Sequence, residues 1–192
     1  YQDGAEHSLR NMLSRYNAKA GCAVLMEIET GYILACANLT FDTHTHTYRE
    51  LPNENVAVSH LYEPGSTFKS VILTAMMNDT IIDTAELVRV GRKTYPGCGE
   101  IADSRGHDHV DTVSVKKVIG LSSNVGMCEL GWKYYRHTPL RLRKAVERVF
   151  PYGTNGILGL DIKAPESKSY INNLSNNSDL LRFGYGYSNA VT

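Results

Sequence analysis

The apolar positions of the first forty residues predict one helix followed by a β-hairpin. Between residues 5 and 19, apolar side chains recur at the spacing of one helical face, and Gly21 follows as a stop. Two apolar, β-rich runs then flank the Glu29-Thr30-Gly31 segment, which predicts strands near residues 22–28 and 32–38. The first run is apolar almost throughout, so we expect both of its faces to be covered.

The middle of the chain carries helical spacing, interrupted by a loop-like segment. An apolar stripe from Ser66 to about Asn78 predicts a helix. Residues 91–109 contain glycines and a proline and are predicted to form a loop. Helical patterns then return at about residues 112–121, 125–136 and 139–149. The chain thus divides into three predicted parts: a sheet part at 1–40, a helical part at 60–150 and a loop-rich tail at 150–192.

Composition and charge narrow the class of protein. The chain has 192 residues, of which 42% are apolar and 21% charged, with a formal net charge of zero. This balance is ordinary for a globular protein and argues against a nucleic-acid partner recruited by bulk charge. No stretch approaches the roughly 20 apolar residues that a membrane-spanning helix needs, so we expect none in this chain.

Cysteine and histidine residues offer only weak signals for a metal or a disulfide. The four cysteines are far apart and form no C-x-x-C pair. Free thiols are the favoured interpretation, and one disulfide in an oxidising compartment is the alternative. Histidines stand in pairs in two polar stretches, as His44 with His46 and His107 with His109. Solvated loop histidines are the better interpretation than metal ligands, so we predict no metal and no cofactor.

The sequence "YEPGSTFKS" places a serine and a lysine three residues apart where a helix is predicted to begin. Residues at this spacing share one helical face, so Ser66 and Lys69 lie together. Serine is a weak nucleophile that needs an adjacent base, and a lysine whose pKa is lowered by burial can serve as that base. An N-capping serine followed by a solvent-facing lysine explains the same pattern, and on S-x-x-K alone it is the favoured interpretation, because both residue types are common at helix starts.

A second short sequence, "GLSSNVGM", gives an S-x-N triplet at Ser122-Ser123-Asn124, between two predicted helices. Such a junction can direct a serine hydroxyl and an asparagine amide into a cleft. The hydroxyl can relay a proton, and the amide can hold a substrate carbonyl and the lysine. A pair of helix-capping serines is the alternative, and for this triplet taken alone it is the favoured interpretation.

The order S-x-x-K then S-x-N, within a helix, hairpin and helices, resembles the penicillin-recognising serine acyltransferases. The segments "TGYILACANL", "YEPGSTFKS", "LSSNVGM" and "RFGYGYSNAVT" look like the transpeptidase domain of class B penicillin-binding proteins, most of all the septal, cell-division type. The resemblance runs from about residue 5 to the C-terminus. It implies an α+β fold, the α/β sandwich of these enzymes. The N-terminal helix and hairpin would belong to a central five-stranded sheet, beside an all-helical subdomain.

The resemblance also implies roles for the matching residues. Ser66 looks like the acylating nucleophile and Lys69 its general base. Ser122 looks like the proton shuttle to the leaving amine, and Asn124 positions substrate and lysine. The implied substrate is a peptidoglycan stem peptide ending in D-Ala-D-Ala, which β-lactams mimic. We therefore expect the Ser66 hydroxyl, Lys69 amine and Ser122 hydroxyl within mutual hydrogen-bond reach.

The chain departs from the family pattern at the third motif, K-T-G. Lys93-Thr94 is followed by Tyr95 and precedes Ser122, so it does not fit in residue or order. We expect this chain to be a piece of a longer protein whose K-T-G strand lies beyond Thr192. The resemblance further implies a membrane anchor, a pedestal module and a site on the periplasmic or extracytoplasmic face of the inner membrane. It also implies divisome partners. The strand edge at residues 22–28 is expected to pair with a second copy of the chain, to pair with the remainder of the domain, or to be displaced from its position in the family.

Two other functions share these motifs. A serine β-lactamase must deacylate quickly, which in one class involves an E-x-x-L-N loop; Glu166 in "ESKSYINN" does not fit it. A non-catalytic β-lactam sensor would carry both motifs and a fused signalling module.

Overall fold

The computed structural model describes residues 1–50, 54–79, 82–104, 111–150, 169–171 and 173–191. They fall into two compact units. The first is formed by Tyr1–Tyr62, and the second by the described parts of Glu63–Gly156 and Ser169–Val191. His107, His109 and Glu166 lie outside the described residues.

Helices and strands alternate in short segments along both units. The helices are α1 (Gln2–Tyr16), α2 (Val56–Ser59), α3 (Lys69–Asp79), α4 (Val115–Gly120), α5 (Asn124–Tyr135), α6 (Pro139–Val149) and α7 (Asn177–Gly184), with a 3-10 turn at Gly65–Phe68 before α3. The strands are β1 (Ala20–Met26), β2 (Ile33–Asp42), β3 (Thr47–Arg49), β4 (Leu87–Arg89), β5 (Arg92–Tyr95), β6 (Gly99–Ala102), β7 (Thr112–Ser114), β8 (Tyr170–Ile171) and β9 (Asn189–Ala190). None of the described helices is long and apolar enough to cross a bilayer.

The first unit confirms the predicted helix and hairpin. Helix α1 ends earlier than Gly21, because Asn17 adopts a left-handed conformation (φ 50°) and caps the helix through its N–H. Leu13 is the buried side chain of α1, and Gly21 allows the strand to approach it closely, since a Cβ there would lie 3.0 Å from the Leu13 Cδ2. Strands β1 and β2 pair antiparallel, with Val24 opposite Cys36.

The expectation that both faces of the first strand are covered is wrong for the described residues. The sheet order is β1-β2-β3, so β1 is an edge strand. Val24, Leu25 and Met26 are 51%, 44% and 55% exposed, and Ile28 just beyond is 94% exposed. Since side chains alternate across a strand, the exposure of these neighbouring residues means that both faces of the second half of β1 are open, whereas its first half packs against α1 at Gly21.

The second unit is built around α5, which confirms the helix predicted at residues 125–136. Its buried residues meet apolar side chains of α3, α6 and α7 in one core. That core includes Ile72, Met76, Met127, Leu130, Leu142, Val146, Leu180 and Phe183. The helices predicted at 66–78 and 139–149 are also confirmed, with a 3-10 first turn in the former.

Two short antiparallel strand pairs lie within the helical part predicted at 60–150, and they correct the loop predicted at 91–109 and the all-helical subdomain implied by the resemblance. Strands β5 and β6 pair inside the segment predicted as a loop, and strands β4 and β7, which flank that segment, pair with each other. The Tyr95-Pro96-Gly97-Cys98 turn joins β5 to β6, and the Cys98 N–H donates to the Tyr95 carbonyl at 3.0 Å. Proline followed by a glycine with positive φ (71°) is typical of a tight turn, so the residues that suggested a loop are the turn of a hairpin.

The tail predicted as loop-rich contains a helix, α7, among its described residues. Asn176 caps it by accepting a hydrogen bond from the Asp179 N–H at 2.9 Å. Leu180, Leu181 and Phe183 form the buried face of this helix. An asparagine cap ahead of this short apolar cluster was the available signal, and the surrounding polar residues obscured it.

Candidate active site

The serine of the S-x-x-K sequence lies in a constrained turn. Gly65 has a positive φ of 57°, and its N–H donates to the Gly186 carbonyl at 3.0 Å. Glu63 accepts a hydrogen bond from the Ser188 N–H at 3.2 Å. These two contacts attach the segment before Ser66 to the loop that follows α7.

Ser66 itself is exposed in the 3-10 turn. Phe68 anchors the turn from below, since it is 4% exposed and packs edge-on against Phe150 with ring centroids 5.1 Å apart. Within the described part of the chain, the Ser66 hydroxyl has no hydrogen-bond partner. The hydroxyl is therefore accessible to a ligand from solvent.

Lys69 begins α3 and is only 2% exposed. Its ammonium group donates to the Ser122 carbonyl at 2.5 Å, to the Asn124 Oδ1 at 2.7 Å and to the Ser122 Oγ at 3.2 Å. Burial lowers the pKa of Lys69 to about 8, against the opposing charge of Asp103. About a tenth of this amine is therefore neutral at pH 7, a far larger share than in an exposed lysine.

The turn between α4 and α5 presents Ser122 and Asn124 to that amine. Ser122 has a left-handed backbone (φ 51°), which directs its carbonyl and hydroxyl to Lys69. Ser123 caps α5 by accepting from the Gly126 N–H at 2.8 Å, and it is fully buried. The Asn124 Nδ2 donates to the Ala102 carbonyl at 3.3 Å, so its oxygen is the atom that faces Lys69.

The structure thus brings together three of the four residues singled out in the sequence. Lys69, Ser122 and Asn124 form one hydrogen-bonded cluster, and Ser66 lies one turn before Lys69 without a hydrogen bond to it. Sequence reasoning missed Asp103, which binds this turn from the end of β6. No spacing rule links Asp103 to the S-x-N triplet, because the contact is made through the tertiary fold.

The close approach of Gly186 to Gly65 yields a first prediction. A Cβ on Gly186 would lie 1.7 Å from the Gly65 carbonyl oxygen, and the residue has a φ of 97°. Gly186→Ala should lower the free energy of unfolding by at least about 1–2 kcal/mol, the cost of left-handed backbone alone, with the clash added. Urea unfolding of both proteins measures this loss.

Gly184→Ala is the matched control for that prediction. Its added Cβ would lie 3.7 Å from the Met127 carbonyl oxygen, an ordinary contact, on a helical backbone. We expect it to change the free energy of unfolding by less than about 1 kcal/mol. Equal effects of the two substitutions would show that the Gly65–Gly186 contact is not tight.

Comparison with protein families places the same residues in a known domain. The family model described as the penicillin binding protein transpeptidase domain matches residues 21–192. The chain is 26% identical over 189 residues to the peptidoglycan D,D-transpeptidase FtsI of Buchnera aphidicola, covering 96% of this chain and 31% of that protein. It is 32% identical over 112 residues to the penicillin-binding protein PbpB of Mycolicibacterium smegmatis, covering 57% and 17%. The chain thus spans a third or less of these curated relatives.

Solved structures share the fold. The TP domain of Burkholderia pseudomallei penicillin-binding protein 3 superposes with a TM-score of 0.73 at 20% identity, over 98% of this chain and 51% of that one. A structure described as a peptidoglycan glycosyltransferase from Burkholderia ambifaria gives a TM-score of 0.75 at 20% identity, over 100% and 56%. At this identity the likeness establishes the α+β fold.

Proposed function

The chain belongs to the penicillin-binding protein transpeptidase family, and on that basis we propose that it carries the acylation machinery of a serine-type peptidoglycan D,D-transpeptidase. The substrate class is a stem peptide ending in D-Ala-D-Ala, and β-lactams act as its mimics. One observation carries the proposal: a buried lysine amine, shared between Ser122 and Asn124, lies one turn after an exposed serine.

Acylation begins with the neutral form of Lys69. The charged ammonium has three N–H groups, and all three are used, on the Ser122 carbonyl, the Ser122 Oγ and the Asn124 Oδ1. Loss of one proton leaves two donors and one lone pair. The longest bond, to the Ser122 Oγ at 3.2 Å, is the one to be released, and this frees the lone pair for the proton of Ser66.

Bond making and proton transfer then follow in order. The Ser66 oxygen attacks the carbonyl carbon of the penultimate D-Ala while its proton passes to Lys69. Ser122 receives a proton from Lys69 and passes its own to the nitrogen of the terminal D-Ala, so the amide bond breaks and D-Ala leaves. An amine of a neighbouring stem attacks the acyl-Ser66 ester, returning Ser66 to its hydroxyl form and completing the cross-link.

Turnover by the full-length gene product tests this function. The assay supplies a pentapeptide-stem donor with a labelled acceptor amine and measures D-Ala release and the cross-linked product by mass spectrometry. We expect the number of D-Ala molecules released to equal the number of cross-links formed plus the number of acyl-enzyme esters hydrolysed by water. Fast hydrolysis of β-lactams, with no action on the stem peptide, would instead indicate a β-lactamase.

The cellular setting follows from the substrate. Peptidoglycan lies outside the cytoplasmic membrane, so we place the site on the periplasmic or extracytoplasmic face of the inner membrane. Relatives named FtsI support a role in septal synthesis and a possible interaction with divisome proteins. These partners and this location are part of the proposal.

The open edge of β1 stays a prediction as a pairing surface. Unpaired strand edges with apolar side chains are templates for association with another chain. We expect the 192-residue chain alone to form dimers or larger species in light scattering, and Leu25→Lys to reduce them, since Leu25 is 44% exposed on β1. Tyr16→Lys, a similar change at a 66% exposed site on α1, is the control. An ordered monomer with this edge exposed to solvent would contradict the prediction.

A further inference from the structure

Asp103 joins the β5–β6 hairpin to the turn that carries Ser122 and Asn124. It follows the last residue of β6, and its backbone N–H donates to the Gly91 carbonyl at 2.7 Å. Its Oδ2 accepts from the Gly91 N–H at 2.8 Å and from the Ser123 hydroxyl at 2.7 Å. Its Oδ1 accepts from the Val125 N–H at 2.9 Å. A single carboxylate therefore fixes both ends of the short segment between Ser123 and Val125.

The same hairpin end also orients Asn124. Its Nδ2 is bound by the carbonyl of Ala102, the residue before Asp103, at 3.3 Å. Its Oδ1 is thereby left to accept from Lys69, because the opposite orientation would place two donors against each other. Two neighbouring residues of the hairpin thus determine how the S-x-N triplet meets the lysine.

Asp103 is also the negative charge that acts on Lys69. Lys69 forms no salt bridge among the described residues, yet the charge of Asp103 opposes the effect of burial on its pKa. Cys128 on α5 lies near the same amine, but burial raises the pKa of its thiol, so it stays neutral at neutral pH. Glu129, also on α5, is engaged by Lys93 at 2.6 Å and by the Tyr95 hydroxyl at 2.8 Å. The polar groups of Ser122 and Asn124 that face Lys69 are uncharged.

We propose that Asp103 is a positioning residue for acylation, which holds the Ser122-Ser123-Asn124 turn against β6 and supplies a negative charge that acts on Lys69. The inference rests on the proposed function, since it assigns Asp103 to the same reaction. Asp103 forms no hydrogen bond or ion pair with Ser66 or Lys69 among the described residues, so it acts through the turn and through the electrostatic effect of its charge.

Three variants of the full-length gene product separate the two effects. Asp103→Asn removes the charge and replaces one acceptor oxygen by a donor, so that one of the Gly91 and Val125 N–H groups loses its acceptor and the other keeps only a neutral one. Ser123→Ala removes one hydrogen bond of the carboxylate and keeps the charge. Asp103→Glu keeps the charge on a longer side chain. The readout is the second-order rate of acylation by a penicillin as a function of pH, with the thermal unfolding midpoint measured alongside.

Asp103→Asn and Ser123→Ala should both slow acylation, but only Asp103→Asn should shift the pH at which the rate rises. A displaced catalytic group costs up to about 10²-fold, so we expect Asp103→Asn to lower the rate at high pH by roughly 10–10²-fold. The acid limb, which is the part of the pH profile where the acylation rate rises with pH, should also shift to lower pH in Asp103→Asn, because loss of the Asp103 charge lowers the pKa of Lys69 further. Ser123→Ala should slow acylation without shifting the acid limb along the pH axis. In Asp103→Glu the acid limb should lie at the same pH as in the unmodified protein.

Amide hydrogen exchange tests the hydrogen bonds of Asp103 without relying on the acylation reaction. In Asp103→Asn we expect the amides of Gly91 and Val125 to exchange faster by on the order of tenfold. Faster exchange in a protein that penicillin does not acylate would show that Asp103 holds the turn, but it would overturn the proposed function and with it the role in acylation. An acylated protein whose rate, limb and exchange are unchanged by Asp103→Asn would overturn the inference about Asp103.

Discussion

Ser66→Ala in the full-length gene product is expected to abolish covalent labelling by a fluorescent penicillin. The β-lactam is retained only as an ester of the attacking hydroxyl, and alanine has no oxygen to form one. The fold should survive, because Ser66 is exposed and its hydroxyl has no partner within the described structure. The measurement is in-gel fluorescence at matched protein concentration, together with the thermal unfolding midpoint.

Ser70→Ala is the matched control for this result. Ser70 is also exposed, lies one turn further on, and its hydroxyl donates only to the Thr67 carbonyl, at 3.1 Å. We expect its labelling to equal that of the unmodified protein. Persistent labelling of Ser66→Ala would show that another residue is the nucleophile.

Lys69→Ala is expected to lower the rate of acylation by the 10²–10⁴-fold typical of losing a general base, or more. The substitution also leaves the Asn124 Oδ1 and the Ser122 carbonyl without the donor that holds them. Stopped-flow measurement of penicillin acylation gives the rate, and circular dichroism checks that the helices persist. Lys144→Ala, at an exposed lysine on α6, should leave the rate unchanged.

The pH dependence of acylation gives the same lysine a second test. Only neutral Lys69 accepts the proton of Ser66, and burial lowers its pKa to about 8. The rate should therefore rise with pH, by up to tenfold per unit below about 8, and level off above it. In Lys69→Ala this limb should be lost. A rate that is flat from pH 6 to 9 in the unmodified protein would exclude Lys69 as the base.

Local sequence patterns were sufficient where the contacts are local. The hairpin of β1 and β2 follows from two apolar runs around a turn, and the pair Ser66 and Lys69 follows from helical spacing. The cluster of Lys69 with Ser122 and Asn124 spans more than fifty positions. Its prediction came from the family resemblance, because a single sequence carries no direct signal for such a contact.

The elements missed in the sequence depend on tertiary contacts or on short turns. Strands β5 and β6 have only four residues each, too few for alternation to stand out against the glycines that join them. Asp103 was overlooked because an aspartate after a short strand is ordinary loop composition. Its importance arises only when the fold brings Gly91, Ser123 and Val125 around its carboxylate.

Mass spectrometry of the penicillin-treated full-length protein tests the central claim most directly. After proteolysis, fragmentation of the modified peptide locates the adduct to a single residue. We predict one intact penicillin per molecule, attached to Ser66. Attachment to Ser122, to Ser123 or to any other side chain, under conditions in which Ser66 stays unmodified, would contradict the assignment of Ser66 as the nucleophile.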